Sequence, residues 1–191
     1  GYFHTKNLKK YMQRLLLFAV ISEIPFNLAL GSRLFYPIHQ NVLWSFLISI
    51  ALIHWNERIK AKNVLWKQIA VCIASIVLAY VLGLVTFVDY HHAGILTVLV
   101  FYFFRGEKLW QRVSQLLFLR HINAELLGGR LYELQLLGET VSLSLQSLAL
   151  LALIPIWLYR GRQGHHSKAF QYFCYAFYPA HLLILGLLKM L

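Results

Sequence analysis

The most constraining feature of the sequence is a set of four apolar runs, each long enough to cross a bilayer as a helix. They have 20, 23, 19 and 21 residues and cover Tyr11 to Leu30, Trp66 to Val88, Val141 to Tyr159 and Phe170 to Met190. A hydrocarbon core of about 30 Å needs about 20 helical residues. We therefore predict a transmembrane helix in each run.

Three further stretches are predicted to enter the membrane in less regular ways. Two of them are apolar but short: Asn41 to Trp55 and Ala93 to Phe104. We expect each to be a short or slightly tilted span, and the second could instead be a re-entrant helix. The core from Val113 to Leu127 contains three ionisable residues: Arg120, His121 and Glu125. Since charges are costly in lipid unless they face protein or water, we predict a protein-buried crossing or re-entrant helix there.

The predicted fold class is therefore all-α. We expect a polytopic helical membrane protein with about six to seven transmembrane or re-entrant helices. No repeat or linker divides the sequence, so we predict one membrane-embedded domain over residues 1–191.

Composition supports a lipid bilayer as the main partner. Hydrophobic residues make up 59% of the chain and charged residues only 13%, whereas a soluble domain has about 45–50% and about 25%. The net charge of +11 would suggest nucleic acid for a soluble protein, but here it fits cytoplasmic loops rich in Lys and Arg. We therefore expect no nucleic-acid partner. Cys72 and Cys174 lie in apolar runs, which argues against a disulfide framework or a cysteine metal site.

Loop charges predict the orientation. Lys and Arg number 4 in residues 1–14, 1 in 31–40, 4 in 56–67 and none in 89–92, an alternation that places the N-terminus of this chain in the cytoplasm. The next two loops, 105–140 and 160–168, are both basic, with 5 and 3 such residues, although one predicted span separates them. A further crossing near 113–127 would restore the alternation.

Glu23 lies inside the first predicted span, two residues before Pro25. A proline in a helix frees a backbone carbonyl one turn earlier, so the carboxylate is expected beside exposed backbone polar groups. An ionisable side chain within the membrane marks either a functional site or a structural ion pair. Both interpretations of Glu23 stay open.

His181 lies in the middle of the last apolar run, close to Tyr178, which could orient it. Histidine is the most common general base, but a buried neutral imidazole satisfied by one donor and one acceptor is the plain alternative. Asp89, Tyr90, His91 and His92 form a polar segment between two runs. This segment predicts an acid–base cluster or an ordinary polar loop. A metal site is disfavoured because adjacent histidines on a helix point about 100° apart.

The segment from Arg160 to Lys168 is a short basic loop that contains two glycines. Guanidinium groups and backbone amides suit phosphate, so Arg160, Arg162 and Lys168 are candidate phosphate contacts. Membrane topology alone would also explain three basic residues beside a helix end.

Several segments together resemble the TraX family, named for a conjugative pilus protein known as an F-pilin acetylase. They follow the family's order over nearly the whole chain and are residues 1–28, HQNVLWSF (39–46), DYHHAGILTVLVFYFFR (89–105), IWLYRGRQG (156–164) and FCYAFYPAHLLIL (173–185). Eight residues stand at the family's motif positions: Arg14, Glu23, Pro25, Asn41, Asp89, Gly94, Tyr178 and His181.

The resemblance implies a multi-pass acetyltransferase of the cell (inner) membrane that uses acetyl-CoA. The implied acyl acceptor is a protein amine, such as a pilin N-terminus, or a hydroxyl of a surface glycan. The implied catalytic residues are His181 as base or orienter, Asp89 and Glu23 as charge partners, and Arg14 or Arg33 as a stabiliser. The implied contacts are Arg160, Arg162 and Lys168 for the CoA phosphates, and Asn41, Tyr178 and His91 for substrate.

Two departures from the family pattern carry expectations. Family members usually begin with one or two further helices bearing an Asp-His pair and a Gly-Arg-x-x-x-Pro motif, so we expect helices upstream of Gly1 that hold part of the site. His91 replaces the small residue that follows the family's Asp-Tyr pair, so the local loop is expected to differ. A transporter, or a non-catalytic assembly factor for a surface polymer or pilus, is the alternative function, since transporters also use broken helices with midplane charges.

Overall fold

The computed structural model describes residues 1–31, 33–129, 131–136, 139–159, 161 and 167–190. Within them the chain is all-α apart from one two-stranded hairpin, which confirms the predicted fold class. The seven α-helices are α1 (Leu8–Gly31), α2 (Val42–Lys60), α3 (Leu65–Val85), α4 (His91–Phe103), α5 (Leu109–His121), α6 (Leu153–Leu158) and α7 (Lys168–Met190). The hairpin strands are β1 (Leu131–Leu136) and β2 (Glu139–Ser144).

Three of the described helices are long and apolar enough to cross a membrane: Leu8–Gly31, Leu65–Val85 and Ala169–Met190. They confirm three of the four long predicted spans. Many large apolar side chains on these helices are exposed in the protein alone, including Leu17, Ile73 and Leu188. Exposed apolar area of this extent is what a lipid-facing surface presents. The chain is therefore a helical membrane protein.

The contacts divide the chain into two compact units, Gly1–Ile95 with Gln163–Leu191 and Leu96–Arg162. The first unit holds α1, α2, α3, the start of α4, and α7. The second unit holds the rest of α4, α5, the hairpin and α6. The single membrane domain expected over residues 1–191 stays a prediction.

In the first unit, α1 and α2 run in opposite directions. The phenol oxygen of Tyr2, just before α1, lies 3.0 Å from Nδ1 of His54 near the end of α2, and Asn41 at the start of α2 donates to the carbonyl of Ala19 at 2.8 Å. The ends of α1 and α2 that carry most of their basic residues therefore meet at one end of this unit.

Helices α1 and α7 run in the same direction. Phe18 stacks on Tyr175 with ring centroids 5.1 Å apart, and further along both helices Lys189 Nζ donates to the carbonyl of Leu30 at 2.7 Å. The first turns of α7 therefore lie beside the first turns of α1.

Small and hydroxylated residues allow close helix packing in the first unit. Asn56 on α2 donates to Ser75 Oγ on α3 at 2.6 Å, and Ser45, Ser49 and Ala79 are fully buried. Small residues and interhelical hydrogen bonds replace the hydrophobic effect as the cohesive force between helices in lipid. Helix α2 has 19 residues but is not among the three spans above, and its last turns carry Glu57, Arg58 and Lys60.

Gly83 sits at the tightest helix contact in this unit. A Cβ built on Gly83 would lie 2.3 Å from the backbone nitrogen of His92, at the start of α4. The ring of His92 stacks on Tyr80 of α3 with centroids 4.6 Å apart. The absence of a side chain at position 83 thus lets α4 begin directly against the end of α3.

The predicted span from Val141 to Tyr159 is wrong as a continuous α-helix. Its first residues belong to β2, Leu145–Ala152 is a 3-10 helix, and only Leu153–Leu158 is α-helical. β2 pairs with β1 in antiparallel register, and this pairing holds Val141 in extended backbone. The helical part from Leu145 to Leu158 is still about 25 Å long, because a 3-10 helix rises about 2.0 Å per residue.

The stretch predicted to cross or re-enter near Val113 to Leu127 is helical. It begins in α5 and continues as a π-helix over Ile122–Leu126. Gln115 is buried, donates to the carbonyl of Phe104 at 2.8 Å and accepts from Trp157 Nε1 at 2.8 Å. The interior polar group is thus satisfied by protein. Arg120, His121 and Glu125 are exposed.

Candidate functional site

Glu23 is the acidic centre of the first unit. Asn41 Nδ2 donates to Glu23 Oε2 at 2.5 Å, and Trp44 Nε1 donates to the same oxygen at 3.2 Å. Asn41 is fully buried, and its Oδ1 accepts from the backbone nitrogen of Leu43 at 3.1 Å, which makes it the N-cap of α2. One asparagine therefore begins α2 and orients the carboxylate of α1, as only a side chain with both a donor and an acceptor can.

The other oxygen of this carboxylate is unsatisfied. Glu23 Oε1 is buried and has no hydrogen-bond partner among the described residues, and the same holds for Ser22 Oγ. Buried polar atoms nearly always have a partner, because an unpaired one costs about 1–3 kcal/mol. This edge of the carboxylate is therefore suited to a donor group on a substrate.

Asp89 forms a second acidic centre between α3 and α4. Its Oδ1 lies 3.1 Å from His39 Nε2 and accepts from the backbone nitrogen of Tyr90 at 3.1 Å. Its backbone carbonyl accepts from Ser45 Oγ at 3.1 Å. The carboxylate is thus bonded to the imidazole of His39, in the loop between α1 and α2, and to the backbone of its own loop.

The two loops that carry this pair are joined by backbone hydrogen bonds. Gln40 donates to the carbonyl of Phe87 at 2.8 Å, and Asp89 donates to the carbonyl of Gln40 at 2.7 Å. Phe87, Tyr90 and His91 have φ values of 51°, 59° and 47°. Left-handed backbone costs residues other than glycine about 1–2 kcal/mol each, and such strain concentrates at functional sites. The predicted polar segment is therefore a strained loop with a specified shape.

Gly94 lets this loop close onto α4. A Cβ built there would lie 3.2 Å from the carbonyl oxygen of Asp89 and 3.5 Å from Ser45 Oγ. The first distance is shorter than an ordinary van der Waals contact and the second is an ordinary one. A side chain at position 94 would therefore push the loop away. This accounts in physical terms for a glycine at that position.

Tyr178 connects the two acidic centres to α7. Its phenol is hydrogen-bonded to the backbone of Val42, the first residue of α2, and it interacts electrostatically with both Glu23 and Asp89. The structure therefore brings Glu23, Asn41, Asp89 and Tyr178 together from four separate segments.

His181 is one turn further along α7 and is only partly buried. Its Nδ1 lies 2.9 Å from the carbonyl oxygen of Phe177, its ring stacks on Phe177 with centroids 5.1 Å apart, and it meets the edge of Tyr178 at 5.6 Å. No contact with Glu23 or Asp89 is present among the described residues. The role of His181 as base or orienter stays a prediction.

The remaining predicted site residues are spread along the unit. Arg14 is exposed and lies 5.9 Å above the ring of Tyr175, about 13 Å along α1 from Glu23 at 1.5 Å per residue. His91 is exposed at the first position of α4. Arg33 lies beyond the other end of α1.

An open cavity lies next to the Asp89 pair. Its volume is about 400 Å³, and it is lined by Phe26, Asn27, Leu30, Gly31, Arg33, Tyr36 and His39. Asn27 is 2% exposed, and neither of its side-chain polar atoms has a partner among the described residues. The cavity thus combines the guanidinium group of Arg33 with an unsatisfied buried amide.

Two of the residues proposed for the CoA phosphates, Arg160 and Arg162, lie outside the described residues. Lys168 is the first residue of α7, and nothing is described of its side chain. The parallel packing of α1 and α7 places the start of α7 beside a basic stretch of α1: Lys9, Lys10 and Arg14. This end of the unit is therefore positively charged. No group of three residues that could hold a metal ion occurs in the part of the chain that the structure describes.

Sequence reasoning missed three side chains of this region. Trp44 lies in the apolar run from Asn41 to Trp55, and nothing in that run indicates that its indole nitrogen donates to Glu23. His39 and Asn27 carried no periodic signal. The only hint for His39 is that both it and Asp89 lie in loops of low charge that were predicted to face the same side of the membrane.

Comparison with protein families identifies one model, described as TraX protein, that matches residues 1–189 of the chain. Comparisons with curated proteins and with solved structures give no match.

Proposed function

The chain belongs to the TraX family, and from this premise we propose that it is an acetyltransferase of the cell inner membrane. It would transfer an acetyl group from acetyl-CoA to an amine or hydroxyl of a pilin-like protein or a surface glycan. The observation that carries the proposal is the convergence of Glu23, Asn41, Asp89 and Tyr178 inside a membrane-embedded unit, next to an open cavity.

This polar centre has the groups that acyl transfer needs. The reaction requires a base for the acceptor and hydrogen-bond donors for the oxyanion that develops on the acetyl carbonyl. The free edge of the Glu23 carboxylate can orient an acceptor N–H or O–H group. The Tyr178 phenol, fixed by the Val42 backbone, is the available neutral donor. Within a low-dielectric interior such groups act more strongly than in water.

The donor is expected at the basic end of the unit. Acetyl-CoA supplies the acetyl group as an activated thioester. Lys9, Lys10 and Arg14, with Lys168 at the start of the parallel α7, would bind its phosphates. Glu23 lies about 13 Å further along α1 than Arg14. A donor whose phosphates and thioester are joined by a long flexible arm suits such a separation.

The orientation follows from the loop charges. The basic residues at the start of α1 and the end of α2 lie at one end of the unit, since these helices are antiparallel. The positive-inside rule assigns that end to the cytoplasm. Acetyl-CoA would then enter from the cytoplasm, and the acceptor from the opposite side.

The test is acetyl transfer by the purified full-length protein in lipid nanodiscs. Labelled acetyl-CoA is supplied with panels of peptide amines and glycan hydroxyls, and products are identified by mass spectrometry. We expect Glu23→Gln to lower kcat by at least 100-fold and the matched exposed variant Glu125→Gln to leave it unchanged. A wild-type protein that acetylates no amine and no hydroxyl would refute the proposal.

The transporter or assembly-factor alternative is separated by direct binding. The open cavity lined by Arg33 and His39 is also what a solute carrier could use. Acetyl-CoA binding to the nanodisc-embedded protein, measured by calorimetry, favours the enzyme. Absence of acetyl-CoA binding, with uptake of a solute into vesicles, would favour the carrier.

A further inference from the structure

The structure contains a His–Asp pair that the sequence analysis did not predict. His39 Nε2 lies 3.1 Å from Asp89 Oδ1, and the two side chains are 35% and 21% exposed. With its hydrogen on Nε2, His39 donates to the carboxylate and keeps a lone pair on Nδ1. No bond to Nδ1 is present among the described residues. This leaves one ring nitrogen able to accept a proton.

The imidazole is fixed in place from several directions. The edge of its ring meets Phe26 with centroids 5.2 Å apart and an interplanar angle of 85°. The next residue, Gln40, is bonded through its backbone to the loop of Asp89. A base held in this way needs little reorganisation before it reacts.

His39 also lines the open cavity of about 400 Å³ described above. Asn27 lines the same cavity, and neither polar atom of its buried amide has a partner among the described residues. Arg33 contributes a positive charge to the same lining. A ligand in this open cavity would contact a base, an amide and a cation.

We propose that His39 is the general base of the acyl transfer, that Asp89 positions it, and that this cavity binds the acyl acceptor. The inference rests on the proposed function. It places the base within the chain described here, on the loop between α1 and α2. The acceptor class is a hydroxyl or neutral amine on a molecule that also carries a carboxylate or phosphate, which Arg33 would bind.

The step transfers one acetyl group and one proton. His39 Nδ1 takes the proton from the acceptor oxygen or nitrogen, and that atom forms a bond to the acetyl carbonyl carbon. The carbon–sulfur bond of the donor thioester breaks, and the proton held by His39 passes to the departing thiolate. Asp89 stays ionised and stabilises the transient imidazolium.

The primary test compares His39→Gln with His121→Gln, an exposed histidine of α5, in the assay above. We expect kcat to fall by about 10²–10⁴-fold for His39→Gln and to stay unchanged for His121→Gln. The Kd for acetyl-CoA, measured by calorimetry, should change by less than about twofold, because donor binding uses the basic end. Exogenous imidazole should restore part of the activity of His39→Gly.

Asp89 is tested as a positioning residue. Asp89→Asn should lower kcat and Asp89→Glu should recover part of it. A readout independent of turnover is carbethoxylation of His39 by diethylpyrocarbonate, located by mass spectrometry in the wild-type protein. We expect His39 to be modified from the non-cytoplasmic side and to be protected by an anionic acceptor, but not by its uncharged analogue.

Two outcomes would overturn the inference separately. If the wild-type protein is active and His39→Gln keeps near-wild-type kcat, the base lies elsewhere while the proposed function stands. If the wild-type protein transfers no acetyl group, the proposed function fails and the inference fails with it. Modification of His39 without protection by any acceptor would place acceptor binding outside this cavity.

Discussion

The hydrogen bond from Asn41 to Glu23 allows a quantitative test of the polar centre. Asn41→Ser keeps an N-capping hydroxyl but is too short to reach Glu23 and the carbonyl of Ala19 together. A hydrogen bond to a charged group contributes about 1.5–3 kcal/mol, and one between neutral groups about 0.5–1.5 kcal/mol. Interhelical bonds in membranes lie at the low end, with a maximum near 1.7 kcal/mol. We therefore expect Asn41→Ser to lower the free energy of unfolding by about 2–3 kcal/mol.

A double-mutant cycle isolates the bond itself. Asn41→Ser, Glu23→Ala, which removes the accepting oxygen, and the double variant are compared with the wild type by thermal unfolding in detergent micelles. We expect a coupling free energy of about 1.5 kcal/mol, near the upper end because the acceptor is a carboxylate. In a chain of this size 1 kcal/mol shifts Tm by about 2–4 °C. If the effects of the two single variants on the free energy of unfolding add to that of the double variant within about 0.3–0.5 kcal/mol, the interaction is refuted.

Three further predictions concern the loop, the helix contacts and the topology. Gly83→Ala should lower the free energy of unfolding by about 1–3 kcal/mol, because its Cβ would collide with the backbone of α4. The control Gly31→Ala, whose Cβ meets nothing within 4 Å, should change that free energy by less than about 0.5 kcal/mol. His91→Gly should stabilise the fold by about 1 kcal/mol, because glycine accepts the φ of 47° without strain; a drop in Tm would contradict this. In intact cells, Lys60→Cys should be labelled only from the cytoplasm and Arg33→Cys only from outside. Labelling of Lys60→Cys from outside would show that the orientation is the opposite of the predicted one.

The spans of the first unit could be predicted because their signal is local. A run of about 20 apolar residues contains its own evidence, since the bilayer requires it whatever the neighbouring helices do. The run from Val141 to Tyr159 failed because its first residues pair with β1. Strand pairing depends on a partner elsewhere in the chain, and hydropathy does not register it.

The candidate site was only partly accessible from the sequence. Glu23 and Asp89 stand out because charges in apolar surroundings are costly. His39 does not stand out, because a histidine in a polar loop is ordinary, and its partner Asp89 lies 50 residues away. The left-handed backbone at Phe87, Tyr90 and His91 is equally hidden, since phenylalanine and tyrosine do not favour it and a single histidine does not predict it.

The parallel packing of α1 and α7 constrains the rest of the chain. Since α1, α2 and α3 alternate in direction, residues from the end of α3 to the start of α7 must cross the membrane an odd number of times. If α4 crosses as predicted, the helical segments Leu109–Leu126 and Leu145–Leu158 must either both cross or both stay on one side. The parallel packing puts the start of α7 on the same side of the membrane as the start of α1, which is predicted to be cytoplasmic, so we expect Ser167→Cys to be labelled from the cytoplasm. Labelling of Ser167→Cys from outside would mean that only one of the two segments crosses, and would separate the basic start of α7 from that of α1.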